Sequence, residues 1–242
     1  MKITRARLFQ LVVILFTPLT ALAAAATDVA PIKPANITYS ITPDLRRCPS
    51  PLCGGWFITP VNMLTMGLLS ETETLKMASA VSPAAMYVAD LEFSCTQWSE
   101  AEKAEFAHAA LQGAALVSGQ MIERPSAAAS NGFINLFVVR DAFTAASKNL
   151  PVGPYLSVQP SGITCVTTPC PYFSADVVNS NMVYEFHDLT FAKAGLSAEE
   201  EQAARAQLAS GALLVTGVAG QTGAGTGINV TQVFWAYPPK KN

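Results

Sequence analysis

The sequence predicts an α+β fold made of two tandem copies of one β-β-β-α-β-β module, each with an antiparallel sheet and a single helix. Three observations predict it. First, the pair Cys48/Cys53 recurs as Cys165/Cys170 at an offset of 117, and the same offset carries Val61-Asn62 onto Val178-Asn179. Second, after a longer insertion in the first copy the offset becomes 98. It then places Asp90-Leu91 on Asp188-Leu189, Phe93 on Phe191, and the stretch Gly113 to Gly119 on Gly211 to Gly217. Third, each copy opens a helix with the same capping box, Ser99-x-x-Glu102 and Ser197-x-x-Glu200.

Each element follows in order. Extended segments open the copies at Ile37 to Thr42 and Tyr155 to Gln159, and the cysteine loops come next. Second strands are predicted over Trp56 to Asn62 and Tyr172 to Asn179. A third strand alternates apolar and polar residues over Met86 to Phe93 and Met182 to Phe191, with a bulge expected near His187. The helices carry acidic first turns, Glu100, Glu102 and Glu105 in one and Glu199 to Glu201 in the other, which suit the positive end of the helix dipole. Their expected apolar faces are Ala104, Ala107 and Leu111, and Ala204 and Leu208; Gly113 and Gly211 are the expected stops. Two strands close each unit, Ala114 to Ile122 with Phe133 to Phe143, and Ala212 to Val218 with Ile228 to Tyr237. Small-residue loops are expected between them, at Glu123 to Gly132 and Ala219 to Gly227.

Residues 1–23 read as a signal peptide: Lys2, Arg5 and Arg7, then an apolar run from Leu8 to Leu22, then small residues offering an A-x-A cut. The expected organisation is therefore a signal peptide over 1–23, an N-terminal extension over 24–35, a first module over 36–147, a turn-rich linker over 148–154 and a second module over 155–242. No later apolar run is long enough to span a membrane. Without Lys2, Arg5 and Arg7 the 15 basic residues fall to 12 against 17 acidic ones, a net charge near −5. Such a balance offers no attraction to phosphate backbones, so nucleic acid is not an expected partner. With 50% hydrophobic and 13% charged residues, the chain has enough apolar material for a buried core.

In an exported chain, Cys48, Cys53, Cys165 and Cys170 read first as disulfide material, each pair meeting across a turn favoured by Pro49, Pro51, Pro169 and Gly54. A redox pair, a zinc site, and a link involving Cys95 stay open as alternatives, although His108 and His187 lack ligand spacing to the cysteines. No cofactor or metal is expected. The glycines from Gly217 to Gly227 lie between strands, which suits a hairpin loop and not a phosphate cradle. No G-x-S-x-G is present, and neither histidine sits beside a nucleophile. The sequons at Asn36 and Asn229 carry no expectation.

The run from Thr42 through Asp44-Leu45-Arg46-Arg47-Cys48 to Cys53-Gly54-Gly55-Trp56-Phe57, with Val61-Asn62 and the segment Tyr87 to Leu91, resembles the signature of an uncharacterised family of exported bacterial domains of unknown function. The resemblance implies a bacterial, exported setting and supplies no activity. In the second copy Ser161 to Thr164 replace Asp44 to Arg47, and Pro171-Tyr172 replace Gly54-Gly55. The first loop is thus the place to look for function, with Asp44, Arg46, Arg47, Gly54, Gly55 and Trp56 as a recognition loop. The leading expectation is an exported, disulfide-pinned binding or envelope-associated protein without catalytic activity, its partner a protein or envelope component. The alternatives are an extracellular enzyme with Asp44 and Arg46 in a site near the first cysteine loop, which a polar cleft joining Asp44, His108 and Asp90 would favour, a secreted module resembling a protease inhibitor, and a purely structural surface component.

Overall fold

A computed structural model describes residues 37–47, 50–63, 85–164, 166, 170–223 and 225–239. The expected signal peptide, the N-terminal extension, Asn36, Cys48 and Cys165 lie outside the described residues. Twelve strands and two helices follow in chain order: β1 (Ile37–Pro43), β2 (Trp56–Pro60), β3 (Met86–Val88), β4 (Asp90–Glu92), α1 (Glu100–Leu111), β5 (Ala115–Pro125), β6 (Phe133–Ala145), β7 (Tyr155–Pro160), β8 (Phe173–Val177), β9 (Val183–Phe186), β10 (Asp188–Thr190), α2 (Ala198–Ser210), β11 (Leu213–Thr222) and β12 (Gly225–Tyr237).

These strands make one sheet and not two. Its order is β3-β2-β1-β5-β6-β12-β11-β7-β8-β9, with β4 on β6 and β10 on β12. The expectation of two separate α+β modules is therefore overturned: the described residues form a single, mostly antiparallel sheet with two short helices. The joining ladder is β6 against β12, antiparallel, from Ala142↔Tyr237 to Ala145↔Phe234. Sequence periodicity shows that a strand exists but not which strand it pairs with, and this one ladder is the difference between two sheets and one.

The predicted third strand of each copy is also divided. β3 pairs with β2 antiparallel, then the chain steps at Ala89, whose N–H donates to Asn135 O at 2.7 Å, and β4 runs parallel to β6. In the same way His187 N donates to Thr226 O at 2.8 Å, and β10 runs parallel to β12. The expected glycine-rich loop is mostly strand: Gly220 faces Gly227 across the β11–β12 ladder, which continues to Thr222↔Gly225.

Both capping boxes form. Ser99 N donates to Glu102 at 2.7 Å and Ser197 N to Glu200 at 2.7 Å, and each serine oxygen accepts the third backbone N–H of its helix. In α1 the buried stripe is Phe106 and Ala110, with Ala104 and Leu111 exposed, which corrects the predicted face. Alanines mark a face only weakly, and the larger Phe106 decides the rotation. In α2 Ala204 and Leu208 are buried as expected. Gly113 closes α1 with φ +69, whereas Gly211 is extended.

Neighbouring residues in a strand face opposite sides, so Val117 lies in the core under α1 while Leu116 joins Val61 and Phe234 in a small central core on the other face. A third core under α2 includes Leu156, Val215 and Val233. Central β5 is consequently buried on both faces from Ala115 to Gly119, which explains why its sequence shows no alternation.

Two asparagines bind the ends of this arrangement together. Asn62, at φ +59, donates from Nδ2 to Tyr155 O (2.7 Å) and Val178 O (3.0 Å), and its Oδ1 accepts Tyr155 N–H (3.1 Å). Asn179, at φ +62, makes the mirror set to Thr38 O (2.7 Å), Val61 O (2.8 Å) and Thr38 N–H (2.8 Å). Strands β1 and β7 are five ladder spacings apart, about 24 Å in a flat sheet, so these bonds require the sheet to curl. Matching bulges assist: the β5–β6 register shifts at Ser118/Gly119 and the β11–β12 register at Thr216/Gly217.

The linker is fixed and not loose. Gln232, fully buried, donates to Ser147 O (2.9 Å) and Asn149 O (2.7 Å), and Thr231 Oγ1 donates to Val152 O (2.6 Å). At the other end Tyr237 packs on Trp98 and Phe106 and donates to Glu102 O (3.0 Å) and Glu105 (3.0 Å). Burial first, and then the neighbouring Glu105, push its phenol up to about 12.

Asn62→Gly and Asn179→Gly keep the left-handed backbone but remove three hydrogen bonds each, leaving strand-end groups without partners. Each is expected to cost about 2–4 kcal/mol, measured by urea unfolding of the full chain. A loss below about 0.5 kcal/mol would show that the ties do not hold the curl.

Candidate functional site: the first cysteine loop

The loop over 44–55 joins β1 to β2. Its base is closed by Asp44 N–H donating to Gly55 O at 2.9 Å. The Asp44 side chain is withdrawn from solvent. Its Oδ1 accepts the Arg46 backbone N–H (3.0 Å) and Nε–H (2.9 Å), and its Oδ2 accepts from Arg46 Nη2 (2.8 Å). The guanidinium lies over Phe57 and Tyr87, 5.2 Å from each ring centroid. Those rings meet edge to face at 5.8 Å on paired residues of β2 and β3. Tyr87 OH then donates to Pro51 O at 2.9 Å, tying the far side of the loop to β3. A planar guanidinium held by a carboxylate and two rings is a defined perch, not a freely rotating charge.

The electrostatics agree. The Arg46 side chain, opposed by burial and helped by backbone N–H groups at Arg46 and Gly54, holds the Asp44 carboxyl below the usual carboxylate range. Asp44 in turn raises Arg46, and burial first raises Tyr87.

The six predicted recognition residues have different places. Asp44 is buried, and Trp56 packs partly against the core under α1. Gly54 adopts φ +81, and a side chain at Gly55 would collide with the backbone of Val88 and Ala89, so both glycines serve the turn. Arg46 is half exposed, and Arg47 is exposed. What the loop presents outward is apolar: Leu45 is 81% exposed and Leu52 44%. Neither leucine stands out in the sequence. Leu45 is turned outward between the buried Asp44 and an Arg46 whose guanidinium is held on Phe57 and Tyr87.

In the second copy Ser161 stands where Asp44 does. Its N–H donates to Tyr172 O (2.9 Å) and its Oγ accepts Ile163 N–H (3.2 Å), so the turn survives while the ion pair does not. Cys53 and Cys170 occupy equivalent buried places, each 4% exposed and each with a partner. Cys95 is a free, exposed thiol.

His108 lines an open cleft of about 610 Å³ between the end of α1 and the linker, and neither Asp44 nor Asp90 lines it. Asp90 Oδ1 accepts Leu91 N–H at 2.8 Å, as Asp188 does from Leu189, a local turn contact repeated in both halves. His187 Nδ1 lies 3.1 Å from Thr226 Oγ1. Among the described residues no cluster of His, Cys, Asp or Glu has the makings of a metal site, and no helix is long and apolar enough to cross a membrane.

A family model described as a domain of unknown function, DUF6748, matches residues 37–239, from the first strand to the end of the last. The chain belongs to the DUF6748 family. The match covers both halves, so the family unit is the whole curled sheet and not one of its halves. No curated protein and no solved structure matches the chain.

Asp44→Asn keeps the shape of the turn but removes the charge that holds Arg46. Trypsin is expected to cut after Arg46 and Arg47 at least about tenfold faster than in the native chain, read by mass spectrometry. Because the folded-state carboxyl lies below its ordinary value, the pair contributes fully above pH about 4 and is lost as pH falls through the lowered value. The Arg46 Nε–H resonance is therefore expected to stay protected down to the ordinary carboxylate range and to disappear only below it.

Proposed function

We propose that this DUF6748 member is an exported, non-catalytic binding protein whose first cysteine loop docks a partner in the bacterial envelope or outside the cell. The observation that carries the reading is the clamp of Asp44, Arg46, Phe57 and Tyr87, which holds Leu45 and Leu52 outward on a rigid turn. Large apolar side chains exposed on an ordered loop lose little entropy when a partner covers them, so preorganisation favours binding. Beside them the half-exposed Arg46 and exposed Arg47 suit a pocket that is apolar within and acidic at its rim. The basic start and apolar run of residues 1–23 support export. The burial of Cys53 and Cys170 beside equivalent turns supports disulfides Cys48–Cys53 and Cys165–Cys170, which would stiffen both loops in an oxidising compartment.

Two measurements test this. Non-reducing peptide mapping of the secreted chain is expected to return both C-x4-C links with Cys95 unpaired; a cross-copy link refutes the pairing. Crosslinking in the envelope fraction is expected to capture the same partner with the native chain and with Arg140→Gln, a change at an exposed position of β6. It is expected to lose that partner with Leu45→Ser/Leu52→Ser, whose urea midpoint should stay unchanged. Undiminished capture by the double variant removes the first loop from the function.

A further inference from the structure

The two halves differ in the volume of their helix-side cores where the parallel ladders meet the first strand. The parallel ladders match the halves residue by residue: Asp90 faces Leu136 and Leu91 faces Phe137, as Asp188 faces Gly227 and Leu189 faces Ile228. The bulge glycines match Gly119 with Gly217, and so Met121 with Ala219. The asparagine ties match Thr38 with Tyr155, and so Tyr39 with Leu156.

In the first half Tyr39 and Phe137 are buried and meet edge to face at 5.2 Å, and the Phe137 ring lies against Gly119. In the second half these two residues are Leu156 and Ile228, while Leu136 and Met121 become Gly227 and Ala219. Four side chains shrink together. Two grow, Met86 to Tyr184 and Val88 to Phe186, but the Phe186 ring is stacked on Phe173 at 5.5 Å and does not fill the space. What remains is an open cleft of about 210 Å³ whose apolar lining includes Leu156, Tyr184, Phe186, Ala219 and Ile228. Glu185 and Thr226, both exposed to solvent, also line it.

We infer that this cleft is a binding site for an uncharged molecule with a single aromatic ring. The space stands where the other half keeps an aromatic pair, so its shape and chemistry are those of a missing ring. Its lining is mostly apolar, with the exposed Glu185 and Thr226 as its polar members, which favours an uncharged guest against the apolar walls. An apolar cavity of about 150 Å³ holds benzene, so this cleft has room for a ring with a small substituent. Tyr184 and Phe186 offer ring contacts in which an aromatic guest gains over a straight hydrocarbon of equal bulk. Leu45, Leu52 and the first cysteine loop take no part in this site.

The test is titration of the full chain with toluene, followed by the methyl resonances of Leu156 and Ile228. Saturable shifts at both are expected. Ile228→Phe places the first half's ring against Gly217, and Ala219→Met restores the first half's methionine; each is expected to weaken toluene binding about tenfold or more without lowering the melting temperature. If one variant fails to fold, the other decides. n-Hexane is expected to bind more weakly than toluene. Shifts that do not saturate, refilled variants that bind like the native chain, or n-hexane binding as tightly as toluene would each overturn the inference.

Discussion

The rest of the structure depends on a reciprocal exchange between two asparagines. Asn62 completes the strand end at Tyr155, and Asn179 completes the equivalent strand end at Thr38. Each serves the half to which it does not belong. Both sit in the left-handed region, which asparagine tolerates better than most residues because its amide can bond locally. A side chain with a donor and an acceptor two bonds apart can satisfy an N–H and a C=O of one residue at once, imitating a neighbouring strand. With these ties in place, strand ends separated by four intervening strands are brought into contact, and the small core of Val61, Leu116 and Phe234 is closed over the centre of the sheet.

The consequences reach both faces. The central ladder joins β6 to β12, and residues at and just beyond its ends cross into the opposite half: Tyr237 packs under α1, and Ser147 Oγ donates to Ala194 O before α2 at 2.6 Å. The linker becomes part of the core through Gln232 and Thr231. The family match covers the whole of this joined sheet, residues 37–239. The two hairpins bearing the cysteine loops are left at its periphery. There a buried carboxylate and a stacked guanidinium fix the first loop, while a serine fixes the second.

Duplication under a shared scaffold frees one copy from constraints on the other. The surface of the first half differs at its loop, where the Asp44–Arg46 pair is present once. The interior of the second half differs at its cleft, where ring volume is missing once. In α1 and α2 the exchange is balanced, since Phe106 with Ala110 answers Ala204 with Leu208, a large and small residue trading places. At Leu156, Ala219, Gly227 and Ile228 it is not balanced, and an unfilled space results.

Much of this was legible in the residues alone. The paired offsets, both capping boxes and most strands could be read directly, because capping and alternation are local chemistry acting within a few residues. The turn role of Gly54-Gly55 was not, because it depends on the backbone of Val88 and Ala89 passing within contact. Nor was the meaning of Val61-Asn62 and Val178-Asn179: the repeat marked them, but their partners are about a hundred residues away. Pairing of β6 with β12, the division of the third strands and the inward turn of Asp44 all rest on non-local contacts that no pattern within a segment encodes. The sequence by itself determined the repeated elements and their order. Only the tertiary structure decided that they form one sheet, since hydrogen-bond partners across a ladder are chosen by the folded chain as a whole.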